Sequence, residues 1–517
     1  MLWCIDFGNL QFGDIGDSRF NNWVLEYFYI TLSNQSPSFK TSNFFYPLIN
    51  NILLSDNHWL IGIFYSFFRF LDFDSHSSYS IILILESIIN FISCYYVLRK
   101  FNISKNSSAI GAFIFSFNTI IAIKISHSQL HFKAFILLAI LFVFQYFKKR
   151  DFKYIALTLL SVVLQLMVSS YNGMFLIIFL IIIILTILSN YKFTDFKNFL
   201  PIKYSYKTSV LLILLSLILL SIYAIPYKET INIYNFNIPI ILEKFQLNSI
   251  LIPKDSQFIK NFLDIFSINI PNMNGENNLF IGFGVLIIIF LSLFNKKFHQ
   301  TLNFTDKKIF FATFFTIIFF LIDSYVPTFY FFQLYLPGFN NLRAPSRFYF
   351  VVFFGIIFAT AKFLNYLEIT KNYKLKIIYY ILVLLILFEA VSTKYHFSNH
   401  KSQEKYIKQY QELANKYGSP DSILLFTFSN DFLQNHDYIV ENINILWAFL
   451  KNPELKIING YTGHIILELN IANNCLDAQN IIIKNEKEIN KIFKNNFKYD
   501  RKKLIILHDN KICKQKF

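Results

Sequence analysis

The chain predicts a mainly α-helical, polytopic membrane bundle of about ten spans with a small extracytoplasmic α/β region at its C-terminal end. Three observations carry that prediction. Hydrophobic residues make up 54% of the 517 and mean hydropathy is +0.42. Charged residues reach 15%, against about 25% in a soluble globular domain. Basic residues gather in every second loop between the apolar stretches.

A span needs about 20 apolar residues to cross a core of about 30 Å. Ten stretches approach that: 78–98, 108–125, 130–147, 154–170, 171–189, 208–225, 279–294, 309–322, 347–367 and 376–393. They divide the chain into an N-terminal segment 1–77, a bundle 78–393 and a C-terminal region 394–517. Segment 57–70, ending near Arg69, is too short to span and reads as an interfacial helix. The region after 394 turns polar, with a helical pattern at 403–417 and strand patterns at 423–428 and 456–458. Glu86, Gln165 and Glu389 are the polar residues that stand out inside apolar stretches.

Orientation follows from charge. Arg99/Lys100/Lys105, Lys148/Lys149/Arg150/Lys153, Lys192/Lys197/Lys203/Lys207, Lys296/Lys297/Lys307/Lys308 and Lys371/Lys374/Lys376 fall in alternate loops, which the positive-inside rule assigns to the cytoplasm. Segments 1–77, 226–278 and 394–517 are then outside. The net charge of +16 is explained by these loops, and no aromatic–basic motif points to nucleic acid. The 64 Phe residues, with abundant Ile, Asn, Lys and Tyr, match a bias towards A/T-rich codons and are not a binding signal. Cys4, Cys94, Cys475 and Cys513 form no CxxC or zinc spacing. Cys475 and Cys513 share the C-terminal region and can pair if it lies outside.

The polar residues that could carry chemistry cluster at breaks on the predicted outer face. Asp14 and Asp17 stand three apart, flanked by Gly13 and Gly16. That spacing puts both carboxylates on one side of a turn, able to share a cation or divide base and metal roles. The plainer alternative is a solvated loop with a helix cap at Asp17. Ser55-Asp56-Asn57-His58 precedes the interfacial helix, and Ser126-His127-Ser128-Gln129-Leu130-His131 separates two apolar stretches. The break Ser169-Ser170-Tyr171-Asn172-Gly173 falls on the same face, and convergent polar groups at one rim mark a site. Arg343 and Arg347, four apart, suit a phosphate or diphosphate; the alternative is a pair of arginines snorkelling to the headgroups.

These segments together resemble bacterial GT-C-type glycosyltransferases: GDIGDSRFNNWVLE (13–26), FFYP (44–47), SDNH (55–58), HSQL (127–130), the stretch ending at Gly173, LRAPSRF (342–348) and NGYTG (459–463). The resemblance implies a multi-pass protein of the cell inner membrane with a carboxylate in its first extracytoplasmic loop. It implies a polyprenyl-phosphate-linked sugar as donor, a glycan, lipid or protein as acceptor, and in some members a divalent cation, Mg or Mn. Carried over, Asp14 or Asp17 is the base or metal ligand, Arg343 and Arg347 contact the donor phosphate, and His58, His127 and Gln129 line the rim. Such chains carry a transmembrane helix ahead of the acidic loop, and none is read before Gly13. The alternatives are a lipid-linked saccharide transporter, which calls for ionisable residues deep within the spans, and a truncated, inactive membrane protein.

Overall fold

The computed structural model describes residues 10–36, 38–56, 58–190, 201, 205–234, 245–246, 248–251, 278–323, 325–326, 328–336, 338–339, 342–392, 396–419, 421–462 and 470–513. Cys4, Asn57, Lys192, Lys197, Lys203, Gly463 and most of segment 226–278, all noted from the sequence, lie outside them. The fold is mainly helical, 70% helix against 5% strand. It divides into two compact units: Met1–Ile82 with Tyr223–Asn235 and Phe397–Phe517, and Leu83–Ile222 with Phe236–His396. The N-terminal and C-terminal segments thus belong to a single unit.

The second unit is consistent with a helical membrane bundle, but the count of ten spans is corrected. Among the described residues, six helices are long and apolar enough to cross: Ser75–Lys100, Lys105–Ile123, Ser128–Lys149, Ser170–Leu188, Tyr206–Tyr234 and Pro345–Ile369. A seventh results if Phe304–Asp323 and Thr328–Tyr335, bent by 93°, count as one span. The shortfall arises because apolar character continues past the points where the backbone stops being helical. Stretch 154–170 forms a 16-residue helix, Lys153–Val168, closed by extended Ser169, whose side chain caps the next helix. Stretch 279–294 forms a 12-residue helix, Phe283–Phe294, because Gly282 at φ 100° starts it late. At 1.5 Å per residue these are about 24 and 18 Å long. Stretch 376–393 lies in helix Tyr373–Ser392, with Lys374 and Lys376 near one end and Glu389 near the other, and is not among the six.

Small residues set how closely these helices approach. A Cβ added to Gly173 would meet Leu166 at 2.5 Å, so the hairpin between Lys153–Val168 and Ser170–Leu188 closes only on glycine. Two of the polar residues flagged inside apolar stretches now have partners. Gln165 donates to the Phe132 carbonyl at 3.0 Å. Glu389 accepts from the amides of Phe283 and Gly284 at 2.6 and 2.9 Å, capping the start of a neighbouring helix.

In the first unit, a four-stranded sheet has the order β4-β3-β5-β6. β3 (Ile423–Thr427) runs parallel to β4 (Lys456–Ile457) and β5 (Leu504–His508), and β6 (Lys511–Ile512) is antiparallel to β5. β3 reads ILLFT and is buried throughout, as a parallel strand covered on both faces must be. Helices Lys401–Tyr417, Tyr438–Phe449 and Cys475–Phe493 belong to the same region. A disulfide joins Cys475 to Cys513 with Cα atoms 5.6 Å apart.

The N-terminal segment is built into this region rather than appended to it. β1 (Leu10–Phe12) pairs antiparallel with β2 (Phe397–Asn399). The chain at 43–46 extends the sheet beside β4: Ile457 N–H donates to Asn43 O at 2.8 Å, and Tyr46 N–H donates to Ile457 O at 2.8 Å. Two tryptophans fasten helix Asp17–Leu32, Trp23 donating to Leu446 O at 3.0 Å and Trp447 to Arg19 O at 3.2 Å. The interfacial segment forms helix Trp59–Phe70, with 12 residues.

Candidate functional site

Helix Asp17–Leu32 buries Arg19, Asn21, Asn22 and Glu26 together with Trp23 and Tyr27. Burying polar groups costs free energy unless each is paired, and the first unit pairs most of them with one another. Glu26, 3% exposed, takes both prongs of the Arg69 guanidinium, Nε to Oε2 at 2.7 Å and Nη2 to Oε1 at 2.8 Å. Tyr65 O–H donates to the same carboxylate at 2.6 Å. Asn22 donates to Gln11 Oε1 at 3.1 Å, and His76 Nδ1 lies 2.6 Å from that oxygen. The His76 and His400 rings stack with centroids 3.5 Å apart, and Trp447 stacks at 5.6 Å from His76.

Asp14 and Asp17 stand where this interior meets the surface. Gly13, at φ 94°, turns the chain out of β1. Asp14 is exposed, and its Oδ1 accepts from Gly16 N–H at 2.9 Å and Ser18 N–H at 3.3 Å. These are helix-terminus amides, which favour negative charge. Asp17, half-buried, accepts from the Tyr461 hydroxyl at 2.7 Å. Tyr461, from the NGYTG segment, also packs edge-on against Phe20 with centroids 5.1 Å apart. Two residues on, Arg19 is 1% exposed, with no hydrogen-bond partner for Nε. Burial pushes its guanidinium down to about 10, opposed by the nearby Glu441 carboxylate, so it stays charged at neutral pH.

His58 is 1% exposed and its Nε2 lies 3.0 Å from Asn21 Oδ1. Burial pushes its imidazole down to about 4, against the pull of Asp56. It is therefore a neutral interior residue that fixes Asn21. Burial also lowers the His400 imidazole. Nearby, Glu441 accepts from the Tyr410 hydroxyl at 2.5 Å and lies 2.8 Å from His436 Nδ1.

The remaining sequence-derived candidates belong to the membrane unit. Arg343 donates its backbone N–H to the Tyr171 hydroxyl at 3.0 Å, and the Arg347 guanidinium lies 4.6 Å from the Tyr171 ring centroid. Both arginines are half-buried, and Tyr171 ties them to the break at 169–173. His127 is half-buried and starts the single turn Ser128–Leu130, while Gln129 is 8% exposed with Oε1 unpaired.

Sequence reasoning passed over Lys133, which lies inside the 130–147 stretch, where its apolar neighbours hide it. It is 0% exposed, with Nζ at 4.8, 5.6 and 5.7 Å from the ring centroids of Phe115, Phe353 and Phe350 and no hydrogen-bond partner. Both carboxylate oxygens of Glu86, 2% exposed, also lack a hydrogen-bond partner. Tyr461, His76, His400 and Trp447 were missed as well, since their partners lie hundreds of positions away in the chain; only the NGYTG motif hinted at one of them.

Among the described residues, no group of three or more His, Cys, Asp or Glu side chains is arranged to hold a metal ion. Asp14 and Asp17 each have an oxygen committed to a protein donor.

No curated protein matches the chain. A family model described as a domain of unknown function, DUF6311, matches residues 10–391, which takes in helix Asp17–Leu32, the membrane helices and both arginines. The chain belongs to the DUF6311 family.

Proposed function

We propose that this protein is a GT-C-type glycosyltransferase of the bacterial inner membrane, moving a sugar from a polyprenyl-phosphate donor on the outer face to a glycan, lipid or protein hydroxyl. The observation that carries the reading is the Asp14–Asp17 turn. Two carboxylates are held by backbone amides and a tyrosine hydroxyl at the edge of a buried polar interior, with Asp14 exposed. A carboxylate is a weak base in general, so its value here comes from position.

On this reading Asp14 takes the proton of the acceptor hydroxyl and Asp17, oriented by Tyr461, supplies fixed negative charge. The hydroxyl oxygen forms a bond to the anomeric carbon. The bond from that carbon to the phosphate oxygen breaks, and polyprenyl phosphate leaves with the electron pair. Separately, in the other unit, Arg343 and Arg347 carry planar forks of the kind suited to a donor phosphate. The Cys475–Cys513 disulfide supports an oxidising compartment for the C-terminal region.

A second reading, transport of a lipid-linked saccharide, is favoured by Glu86 and Lys133, ionisable and buried within helices long enough to span. One experiment separates the two. Purified protein in liposomes is given a labelled polyprenyl-phosphate hexose and a mixed acceptor extract. Transfer that falls at least about tenfold in Arg343→Lys or Arg347→Lys, where the bidentate fork is lost, supports the first reading. Movement of the donor between leaflets without transfer supports the second and overturns the first.

A further inference from the structure

A cleft of about 450 Å³ opens in the C-terminal α/β region, lined by Asn430, Asn473, Asn480, Ile481, Lys484 and Lys487 among others. Its volume lies within the range of about 300–1,000 Å³ typical of small-molecule sites. Its position is equally telling. Phe428, immediately after β3, bridges in parallel to Ile471, and Asn430 begins the helical turn that follows. The cleft therefore sits beyond the carboxyl end of a parallel strand, where open α/β sheets bind ligands.

The chemistry of the lining selects a ligand class. Asp477, Asn480, Lys484 and Lys487 are spaced three, four and three apart on helix Cys475–Phe493, so they form one continuous stripe. The opposite face, with Ala478, Ile482 and Ile489, is buried. At one end Asp477 accepts from the backbone N–H of Asn473 at 3.3 Å, and the Asn430 side chain donates to Asn473 Oδ1 at 3.3 Å, which orders the two side-chain amides there. Asn480, Lys484 and Lys487 are exposed. Side-chain amides pair hydroxyls as donor and acceptor at once, the isoleucines offer an apolar wall to a ring's C–H face, and two ammonium groups match an anion. None of the described residues lining the cleft is aromatic, so a nucleobase has nothing to stack on.

We infer that this cleft binds an acidic saccharide, with its carboxylate or other anionic group at Lys484 and Lys487 and its hydroxyls on Asn430, Asn473 and Asn480. The inference does not rest on glycosyl transfer, because binding here can succeed or fail while transfer at the Asp14 turn does the other.

The test is calorimetric titration of the full-length protein in detergent with trigalacturonate, its methyl ester and inorganic phosphate. The expected result is saturable trisaccharide binding, at least about fivefold weaker for the ester. Binding should be at least about tenfold weaker in K484S/K487S, the scale of one lost charge-assisted hydrogen bond. K405S/K408S, on helix Lys401–Tyr417, serves as the control and should bind normally. Asn480→Ala, which removes only an exposed amide, gives a second variant that should weaken binding with the fold intact. No binding by the wild-type protein would overturn the proposal. Equal losses in the control, which a chain of net charge +16 would show through general polyanion attraction, would overturn it too. Full competition by inorganic phosphate would reduce the cleft to an anion site and overturn the saccharide assignment.

Discussion

The two units place ionisable groups in their interiors by opposite means. In the first, Glu26 is met by a bidentate guanidinium and a tyrosine hydroxyl. In the second, the Glu86 carboxylate has no hydrogen bond and the Lys133 ammonium faces three phenyl rings. Removing one partner of a hydrogen-bonded buried charge leaves the other stranded, whereas the Lys133 ammonium makes no hydrogen bond and its removal takes from Glu86 only a longer-range attraction. The same substitution chemistry should therefore have different consequences in the two places.

The largest stability effect is expected at Arg69→Met, which leaves Glu26 buried with only Tyr65 and should destabilise the protein by about 3–5 kcal/mol. Lys133→Met keeps length and volume while removing the ammonium. It should cost less than Arg69→Met, since what is lost is cation–π attraction and the attraction to Glu86, and what is gained is relief from desolvation. Thermal unfolding of both variants in detergent checks the contrast. Comparable losses at the two positions would break it.

Acid sharpens the same comparison. The His58 imidazole is held near 4 in the fold, below its usual 6.5. Between those values the unfolded chain binds the extra proton, so stability rises with pH across the window. The contribution is complete above about 6.5 and is lost as pH falls towards 4, amounting to at most about 3 kcal/mol. His58→Gln should reduce the slope of the unfolding midpoint over this range without abolishing it, because burial also lowers the His76 and His400 imidazoles, and an unchanged slope would show that His58 does not contribute. A smaller effect, about 1 kcal/mol, is expected from Tyr461→Phe, which removes the hydroxyl bonded to Asp17. It should lower transfer less than loss of either carboxylate.

How much of this was legible in the sequence differs between the units for a physical reason. Spans are written locally, as runs of apolar residues, and six of the ten stretches fall in helices long and apolar enough to span. What the runs could not reveal was where the backbone breaks, at Ser169 or at Gly282. In the C-terminal region, strand patterns at 423–428 and 456–458 emerged as β3 and β4, and helix 403–417 as Lys401–Tyr417. The Cys475–Cys513 pairing expected of an oxidised segment is present. The interior of helix Asp17–Leu32 was not legible. Arg19, Asn22 and Glu26 look like a solvated face when read alone and are buried because helix Trp59–Phe70 supplies partners to Asn22 and Glu26 and because residues from the far end of the chain pack on the same helix, as with Asp17 and Tyr461, 444 residues apart.

On the proposed function, the Asp14 carboxylate, exposed at the edge of that interior, does chemistry rather than merely capping a helix. Asp14→Asn keeps the size and one acceptor for the Gly16 and Ser18 amides but removes the charge. Transfer from a labelled polyprenyl-phosphate hexose by purified protein should fall by at least about 10²-fold, the scale for a positioned base, with the unfolding midpoint within a few degrees of wild type. Normal transfer by Asp14→Asn, with a well-folded protein, would contradict the account and leave Asp14 as a helix cap.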